Sequence, residues 1–425
     1  MLRAVLPSRS EVRWILLGTL LSAVGRGLTL PFLFIYLTDV RGLSDAYAGL
    51  VIGWYGLVTL ALSPVGGTLI DRFGARRVVL PSLLVEATGM AALVLVDSTL
   101  SAFLVVSVLG AGGSAIWSGQ STILASLTGP DERQRVYGLQ FALLNLGIGI
   151  GGLTAGAIVD TARPGTFELV YLLDAASFLA PLVILLFLPG VGHRLAEPAE
   201  TAGRSSGGYL TVLRDRPFRR LVGYALVLTT CGYAQVEVGF TAYAVRVAEV
   251  TPRVVAWALA ANTVMIVLAQ LLVIRHLQGR SRSRALAVVG VVFAVSWLVL
   301  GVGGLVGAEN ALLAALCVMA CAAIFGAGET MLSPVMPALT NALATDELRG
   351  RYNAASSMVF GISGIIGPVT AGPLIGAGGG VAWVALVAGG CLVASLLALS
   401  LRSLLTAEQD GTSPLPDRAP APASR

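Results

Sequence analysis

The feature that most constrains this chain is a succession of apolar runs, each about twenty residues long and separated by short polar stretches. A helix of that length crosses the roughly 30 Å hydrocarbon core of a bilayer. Only 12% of the residues are charged, well below the share of about 25% in soluble domains. The sequence therefore predicts an all-α integral membrane protein. Twelve spans are expected, at 13–38, 47–70, 77–96, 101–127, 136–160, 167–188, 218–247, 254–275, 285–306, 311–342, 352–376 and 381–404.

Arginine is distributed unequally between the predicted loops. All 28 basic residues are Arg, and the loops on one side receive only Arg41, Arg163, Arg246 and Arg253. Short loops rich in basic residues face the cytoplasm. Both termini are therefore expected to be cytoplasmic, in a multi-pass protein of a bacterial inner membrane. The net charge of +5 then reflects topology, and no nucleic-acid partner is expected.

Several kinds of chemistry lack the residues they need. The chain has no Lys for a Walker motif or a Schiff base, and its two histidines, His193 and His276, lie in predicted connections. The four cysteines lie in predicted helices and form no CxxC pair. The sequence predicts neither enzyme activity nor ATP-driven pumping, and no metal or cofactor.

A polar segment divides the chain into two halves. Residues 189–217 are rich in Gly, Pro, Ser and charge, and PDERQRVYG (130–138) reappears 215 residues later as TDELRGRYN (345–353). Such a repeat indicates two parallel, pseudo-symmetric six-helix bundles. We expect an N-terminal bundle at 1–188, a cytoplasmic central loop at 189–217 and a C-terminal bundle at 218–405. Residues 406–425 have the composition of a disordered tail.

The loop after the second predicted helix reads GGTLIDRFGARR (66–77) and resembles the signature G-x-L-x-D-R-x-G-x-R-R of the major facilitator superfamily. The resemblance implies that superfamily's fold and alternating access between its two bundles, in a monomer. An acid at a helix end can meet both a helix N-terminus and arginines of the other bundle. The residues expected to form this conformational latch are Gly67, Asp71, Arg72, Gly74, Arg76 and Arg77.

Small residues recur in the fifth predicted helix in a pattern similar to G-x-x-x-G-P-x-x-G-G, which is associated with the antiporters of the superfamily. The match is partial, since Gly152 replaces the proline. Close helix packing explains the same residues equally well. The expected packing residues are Gly147, Gly151, Gly152, Gly156 and, in the second half, Gly367 and Pro368. The arginine common in helix four of drug:proton antiporters is absent from VSVLGAGGSA (106–115).

Five charged residues fall well inside predicted spans: Arg26, Glu86, Asp174, Glu237 and Glu329. Each costs about 2.5–3.5 kcal/mol to insert, so each is expected to face protein or water. The superfamily fold lines its cavity with helices one, four, seven and ten, which implies that Arg26 faces Glu237 and Glu329. These three are the main candidates for proton coupling. Glu86 and Asp174 are expected to be structural, with Asp174 as a secondary proton site.

Polar and aromatic side chains at helical spacing could extend the lining of that cavity. The candidates are Tyr233, Asn262, Gln270, Ser333 and Trp117. Packing within the helix bundle is the alternative explanation for each of them.

Together these features predict a proton-coupled secondary transporter that exports small amphipathic compounds or drugs, with protons, a small-molecule substrate and the lipid bilayer as partners. Proton-coupled uptake of a small organic solute or peptide is the alternative within transport. A membrane sensor that transports nothing is the alternative from another class, because a fold does not by itself fix a function.

Overall fold

The computed structural model describes residues 7–29, 32–160, 163–193, 208–307 and 309–412, and these are mostly helical. The side chains of Glu237 and Pro368 lie outside the described part. The main helices are α1 Ser10–Thr29, α2 Asp45–Phe73, α3 Ala75–Ala92, α4 Thr99–Leu127, α5 Pro130–Ile158, α6 Pro164–Ser177 continued by Leu179–Phe187, α7 Arg216–Cys231, α8 Pro252–Leu277, α9 Arg282–Val306, α10 Ala311–Leu343, α11 Arg349–Gly376 and α12 Gly380–Leu401.

Helix starts follow sequence signals that satisfy or remove the free N–H groups of a first turn. The side chains of Ser98 and Asn310 accept hydrogen bonds from the first turns of α4 and α10. Pro130 and Pro252 open α5 and α8, where a missing N–H costs nothing. Gly74, at φ 85°, separates α2 from α3 in a conformation that favours glycine.

Nine of the described helices, α2–α6 and α9–α12, are long and apolar enough to cross a membrane. Large apolar side chains on their outer faces, such as Leu153 and Phe187, are exposed and therefore suited to lipid. The expected all-helical membrane protein is confirmed. The other three predicted spans are less regular, since α1 carries three charged residues and only Trp257–Gln270 of α8 is apolar. The run beginning with α7 breaks at Gly232 and contains a π-helical turn at Val236–Phe240.

The helices pack in two groups with the same pattern of neighbours. In the first group, α1 packs on α5 and α6, and α4 packs on α2 and α3; in the second, α7 packs on α11 and α12, and α10 packs on α8 and α9. The second group encloses one apolar core, and the first group holds three smaller apolar clusters, one of which includes Ala338 of the second group. We call the end where α1 begins and α12 ends the terminus side, and the opposite end the distal side.

Glycines hold α1 and α5 together. A Cβ at Gly147 would lie 2.6 Å from Ala23 Cβ, and one at Gly151 would lie 2.9 Å from Gly27 Cα and closer still to the Val24 carbonyl. Two other glycines from the predicted set have more room: a Cβ at Gly152 would only approach to 3.8 Å, and one at Gly156 would meet nothing within 4 Å. In the second group, Gly367 makes the equivalent close approach, to Ala234.

Replacing Gly151 by Ala is expected to destabilise the protein by about 1–3 kcal/mol, because the added methyl group forces α1 away from α5. Thermal unfolding in detergent measures the loss. Gly156→Ala is the matched control, since it adds the same methyl group to the same helix in open space. Equal melting temperatures for the two variants would contradict the packing role of Gly151.

The chain beyond α12 differs from the sequence prediction of a disordered tail at 406–425. Residues Ala407–Asp410 form a helical turn capped by Thr406. Asp410 is buried and accepts hydrogen bonds from Ser281 Oγ at 2.6 Å and Ser283 N at 2.8 Å. The segment therefore caps the start of α9, a role that composition does not reveal. Residues 413–425 lie outside the described part.

Candidate functional site

Glu329 lies in the middle of α10 and is 8% exposed. Asn262 of α8 donates a hydrogen bond from Nδ2 to Glu329 Oε2 at 2.7 Å, and the Tyr233 hydroxyl donates a second bond to the carboxylate. Gly326 permits this contact, because a Cβ there would lie 2.9 Å from the Asn262 carbonyl. Three helices of the second group thus converge on one carboxylate.

Aromatic rings surround Tyr233, whose hydroxyl is bonded to this carboxylate. The Tyr233 ring lies 5.9 Å from Phe293, 5.7 Å from Phe325 and 5.8 Å from Phe360, all edge-on, while Phe293 and Phe325 stack at 3.9 Å. Phe360 of α11 is 46% exposed, so the cluster reaches an accessible surface. A carboxylate beside aromatic faces can hold a cation that also has apolar surface. We call Glu329, Asn262, Tyr233 and these phenylalanines the Glu329 site.

A second set of charges lies inside the first helix group, and we call Arg26, Glu86 and Asp174 the Arg26 cluster. Asp174 is fully buried and accepts hydrogen bonds from Thr29 Oγ1 at 2.6 Å and Ser177 Oγ at 3.2 Å. Glu86 is 3% exposed, and its Oε2 finds no hydrogen-bond partner in the described part of the chain. Arg26 interacts electrostatically with both acids. Two buried carboxylates therefore lie in the electrostatic field of one arginine, although among the described residues no ion pair joins Arg26 directly to either of them.

The structure does not bring Arg26 to Glu329, and the expected approach to Glu237 stays a prediction because that side chain lies outside the described part of the chain. Within the described ranges, no ion pair joins Arg26 to a carboxylate of the second group. Sequence reasoning treated Glu86 and Asp174 as separate structural residues. Comparing how deep each charge lies in the membrane could have linked Glu86 and Asp174 to Arg26. All three lie eleven to sixteen residues from the terminus-side ends of their helices.

The remaining candidates for the cavity lining, Gln270, Ser333 and Trp117, differ in burial and in hydrogen bonding. Gln270 is fully buried and donates from Nε2 to the Thr330 carbonyl at 3.2 Å, so it joins α8 to α10 and lines no open space. Ser333 lies one turn from Glu329 and is partly buried, without a hydrogen bond to any described group at its Oγ. Trp117 on α4 is 43% exposed. The aromatic partners of Tyr233 were missed because they come from three other helices.

Asp71, at the end of α2, crosses between the two helix groups. Its Oδ1 accepts from Gly350 N at 2.6 Å, and its Oδ2 accepts from Arg351 N and Arg351 Nη1, each at 3.2 Å. These donors belong to the first turn of α11, so the carboxylate meets both a helix N-terminus and an arginine. Gly67 makes room, because a Cβ there would lie 2.6 Å from Ala354 Cβ.

Tyr209 reinforces this contact from the short helix Tyr209–Arg214. Its hydroxyl donates to the Pro64 carbonyl of α2 at 2.6 Å. Burial raises the pKa of the Tyr209 phenol to about 12, so it stays protonated and remains a donor at neutral pH.

The arginines of the predicted latch motif have separate surroundings. Arg76 donates from Nη1 to the carbonyls of Leu185 and, at 2.8 Å, Leu188, and so caps the end of α6 within its own group. Arg72 lies over the Phe73 ring at 5.2 Å, and Arg77 is exposed. Asp71 and Gly67 of the motif thus lie against the second helix group, whereas Arg76 is bonded within the first.

A buried polar layer on the terminus side also joins the two groups. Ser121 Oγ donates to Asn353 Oδ1 at 2.9 Å, and Asn341 Nδ2 donates to Tyr137 Oη at 3.0 Å. Tyr137 and Asn353 belong to the two copies of the sequence repeat. The repeat therefore supplies polar contacts across the boundary between the groups.

The spacing between the groups widens towards the distal side. Along α11, Gly350 and Gly361 pack closely against α2, whereas a Cβ at Gly364 would meet nothing within 4 Å. Along α5, a Cβ at Gly138 would lie 2.7 Å from Ile274 Cδ1 of α8, whereas a Cβ at Gly149 would approach α8 only to 3.8 Å. The two groups therefore touch on the terminus side and separate on the distal side.

Long apolar helices in two groups that meet at one end, with charged sites buried inside each group, define a multi-pass membrane transport protein. The chain belongs to the Major Facilitator Superfamily, whose family model matches residues 15–250. The family predicted from the GGTLIDRFGARR motif is confirmed.

Relatives of this chain include proteins named for drug resistance. It is 28% identical to the multidrug resistance protein MdtH of Aeromonas hydrophila subsp. hydrophila over 368 residues, which is 85% of this chain and 87% of that protein. It is 26% identical to the MdtH of Yersinia enterocolitica over 83% of this chain and 84% of that protein. Over 55% of this chain and 56% of the relative, it is 31% identical to YqjV of Bacillus subtilis, an uncharacterized MFS-type transporter.

Solved structures share the fold. A crystal structure of a bacterial homologue of the iron transporter ferroportin, in an outward-facing state, matches with a TM-score of 0.77 at 17% identity, over 93% of this chain and all of that one. The human organic anion transporter MFSD10 matches with a TM-score of 0.67 at 18% identity, over 92% of this chain and all of that one. At these identities the likeness shows the fold alone.

Proposed function

We propose that this protein is a proton-coupled antiporter that exports small amphipathic compounds carrying a positive charge. In this proposal twelve spans form two six-helix bundles, both termini lie in the cytoplasm of a bacterial inner membrane, and the monomer is the working unit. The relatives named multidrug resistance protein support export of drugs. The wider spacing on the distal side corresponds to a conformation open to the outside.

The observation that carries this proposal is the Glu329 site. A carboxylate in a low-dielectric pocket attracts a cation more strongly than it would in water. Tyr233 and the exposed Phe360 offer apolar contact and electron-rich rings, held in place by the buried Phe293 and Phe325, and such contacts accept many shapes. A lipophilic cation fits this combination better than an anion or a strongly hydrated sugar does.

The same carboxylate can couple transport to protons. A buried acid is costly to hold ionised without a partner, so it binds either a proton or a cationic substrate. Protonation from outside would release the substrate, and return of the empty, protonated carrier would release the proton inside. The Arg26 cluster is a second proton site in this proposal, with Asp174 and Arg26 as members.

Flux across proteoliposomes tests the proposed function directly. The purified chain is reconstituted, a pH gradient is imposed, and the fluorescence of ethidium, a lipophilic cation, reports its movement. We expect movement of dye against proton flow, abolished by a protonophore. Movement of the dye and protons in the same direction would support uptake instead, and no dye movement under any gradient would refute transport of lipophilic cations.

Asp71 is proposed to hold the terminus side closed. Asp71→Ala removes three hydrogen bonds to the start of α11 and should shift the equilibrium towards a terminus-open form by about 2 kcal/mol. Spin labels at Arg13→Cys and Arg284→Cys, after replacement of the native cysteines by Ala, report the distance by pulsed electron resonance. We expect a longer distance component to grow.

Glu168→Gln is the control for the Asp71 variant. It breaks the 3.0 Å ion pair with Arg41, which lies within the first helix group and joins nothing across the boundary. Its distance distribution should match that of the unmodified background. An unchanged distribution for Asp71→Ala would contradict the latch role.

A further inference from the structure

A basic groove lies between the start of α7 and the end of α12, on the terminus side. It has a volume of about 410 Å³. Its α7 wall consists of Arg216, Arg219, Arg220 and Gly223, which at spacings of three and four residues share one helix face. Leu397 of α12 and Leu404, just beyond that helix, form the opposite wall.

None of the three arginines forms an ion pair with a residue of the described ranges. Arg220 Nη1 donates to Ser400 Oγ at 2.7 Å, and Arg219 Nη1 approaches the Leu213 carbonyl at 3.5 Å. Among the residues that the structure describes, no carboxylate lies within ion-pair distance of any of the three. The neighbouring Asp215 instead accepts a hydrogen bond from the Tyr352 hydroxyl at 2.8 Å. Like charges on one helix face repel, so an external anion would relieve them.

The groove changes from charged to apolar as it leaves the terminus side. Gly223 lies about one helical turn beyond Arg219 and Arg220. A Cβ at Gly223 would meet nothing within 4 Å, so the groove has free space at this point. Leu397, about one turn before the end of α12, supplies apolar surface on this side of the groove. The arginines begin a membrane helix and so lie at the level of lipid headgroups, with Leu397 beside the first acyl carbons.

We propose that this groove binds one anionic phospholipid, with the phosphodiester against the three guanidinium groups and an acyl chain along Gly223 and Leu397. Arginine suits this role because its planar donor groups match phosphate oxygens. A free phosphate ion would use only the charged half of the groove. The proposal concerns a lipid bound to the outside of the second helix group and does not depend on the transported substrate.

Native mass spectrometry of the full chain in detergent tests the proposal. Phosphatidylglycerol, phosphatidylcholine and inorganic phosphate are titrated separately. We expect phosphatidylglycerol to be retained at one high-affinity site, and its apparent affinity to fall about thirtyfold in Arg219→Gln/Arg220→Gln. The control is Arg9→Gln/Arg13→Gln, which removes two exposed arginines at the start of α1 and should leave this site unaffected.

A second variant tests the acyl-chain half of the groove. Gly223→Leu keeps every arginine but fills the open space, so it should weaken phosphatidylglycerol while leaving any phosphate adduct unchanged. Equal retention of phosphatidylcholine, equal losses in the control pair, or full competition by inorganic phosphate would each overturn the lipid site. If Gly223→Leu does not fold, the arginine pair and its control still decide the question.

Discussion

Replacing Glu329 by Gln is expected to weaken binding of a lipophilic cation about a hundredfold, the equivalent of about 2.8 kcal/mol. The change keeps the shape of the side chain and an acceptor oxygen for Asn262, while the new Nε2 can donate to the Tyr233 oxygen instead of accepting from it. It removes the negative charge that would balance the substrate, and also the group that would exchange a proton. Proton-driven movement of ethidium in proteoliposomes should therefore fall to the level of empty liposomes.

Two comparisons sharpen this prediction. Glu309→Gln makes the same substitution at an exposed position before α10 and should transport like the wild type. A neutral amphipathic dye should bind Glu329→Gln almost as well as the wild type, because the aromatic rings remain. Full proton-driven transport of ethidium by Glu329→Gln would exclude this residue as the proton carrier and as the cation site.

Replacing Arg26 by Gln is expected to lower the free energy of unfolding by about 1–2 kcal/mol at pH 8, because it removes the positive charge that favours the ionised forms of two buried carboxylates. Acidification supplies protons that can neutralise these acids. The loss should therefore be large at pH 8 and smaller at pH 5. Thermal unfolding in detergent across this pH range measures it.

A second substitution separates the charge effect from a packing effect. Arg26→Gln/Glu86→Gln should recover most of the lost stability, because only Asp174, with its bonds from Thr29 and Ser177, then remains charged. Arg246→Gln, at an exposed position, should change little. A deficit that is the same at pH 5 and pH 8, and that Glu86→Gln does not repair, would show that Arg26 acts through packing alone.

The membrane accounts for most of what could be predicted of the fold. Backbone groups in a bilayer must be paired within the chain, so apolar runs of about twenty residues have few alternatives to helices. The predicted positions of α2–α6 and α9–α12 agree with the structure to within several residues at most ends. The run containing α7 is less regular, because Gly232 interrupts it.

Candidate residues were harder to combine into sites. The proposed latch could be anticipated at Asp71, since an acid at a helix end has few partners other than a helix N-terminus or a nearby base. Its switching role stays a prediction. The contacts of Arg26 could not be anticipated, because spacing within one helix does not fix which neighbour its face meets.

By itself the sequence determined the class of protein, its helices and its family, because those depend on local patterns that the bilayer enforces strongly. The tertiary structure decided the surroundings of each buried charge: Arg26 interacts electrostatically with Glu86 and Asp174, and Glu329 accepts hydrogen bonds from Asn262 and Tyr233. The physical reason is that helix rotation and crossing are set by small-residue packing at Gly151, Gly326 and similar positions. Those contacts join residues that are far apart in the chain, so the hydrophobic periodicity of a single helix does not predict them.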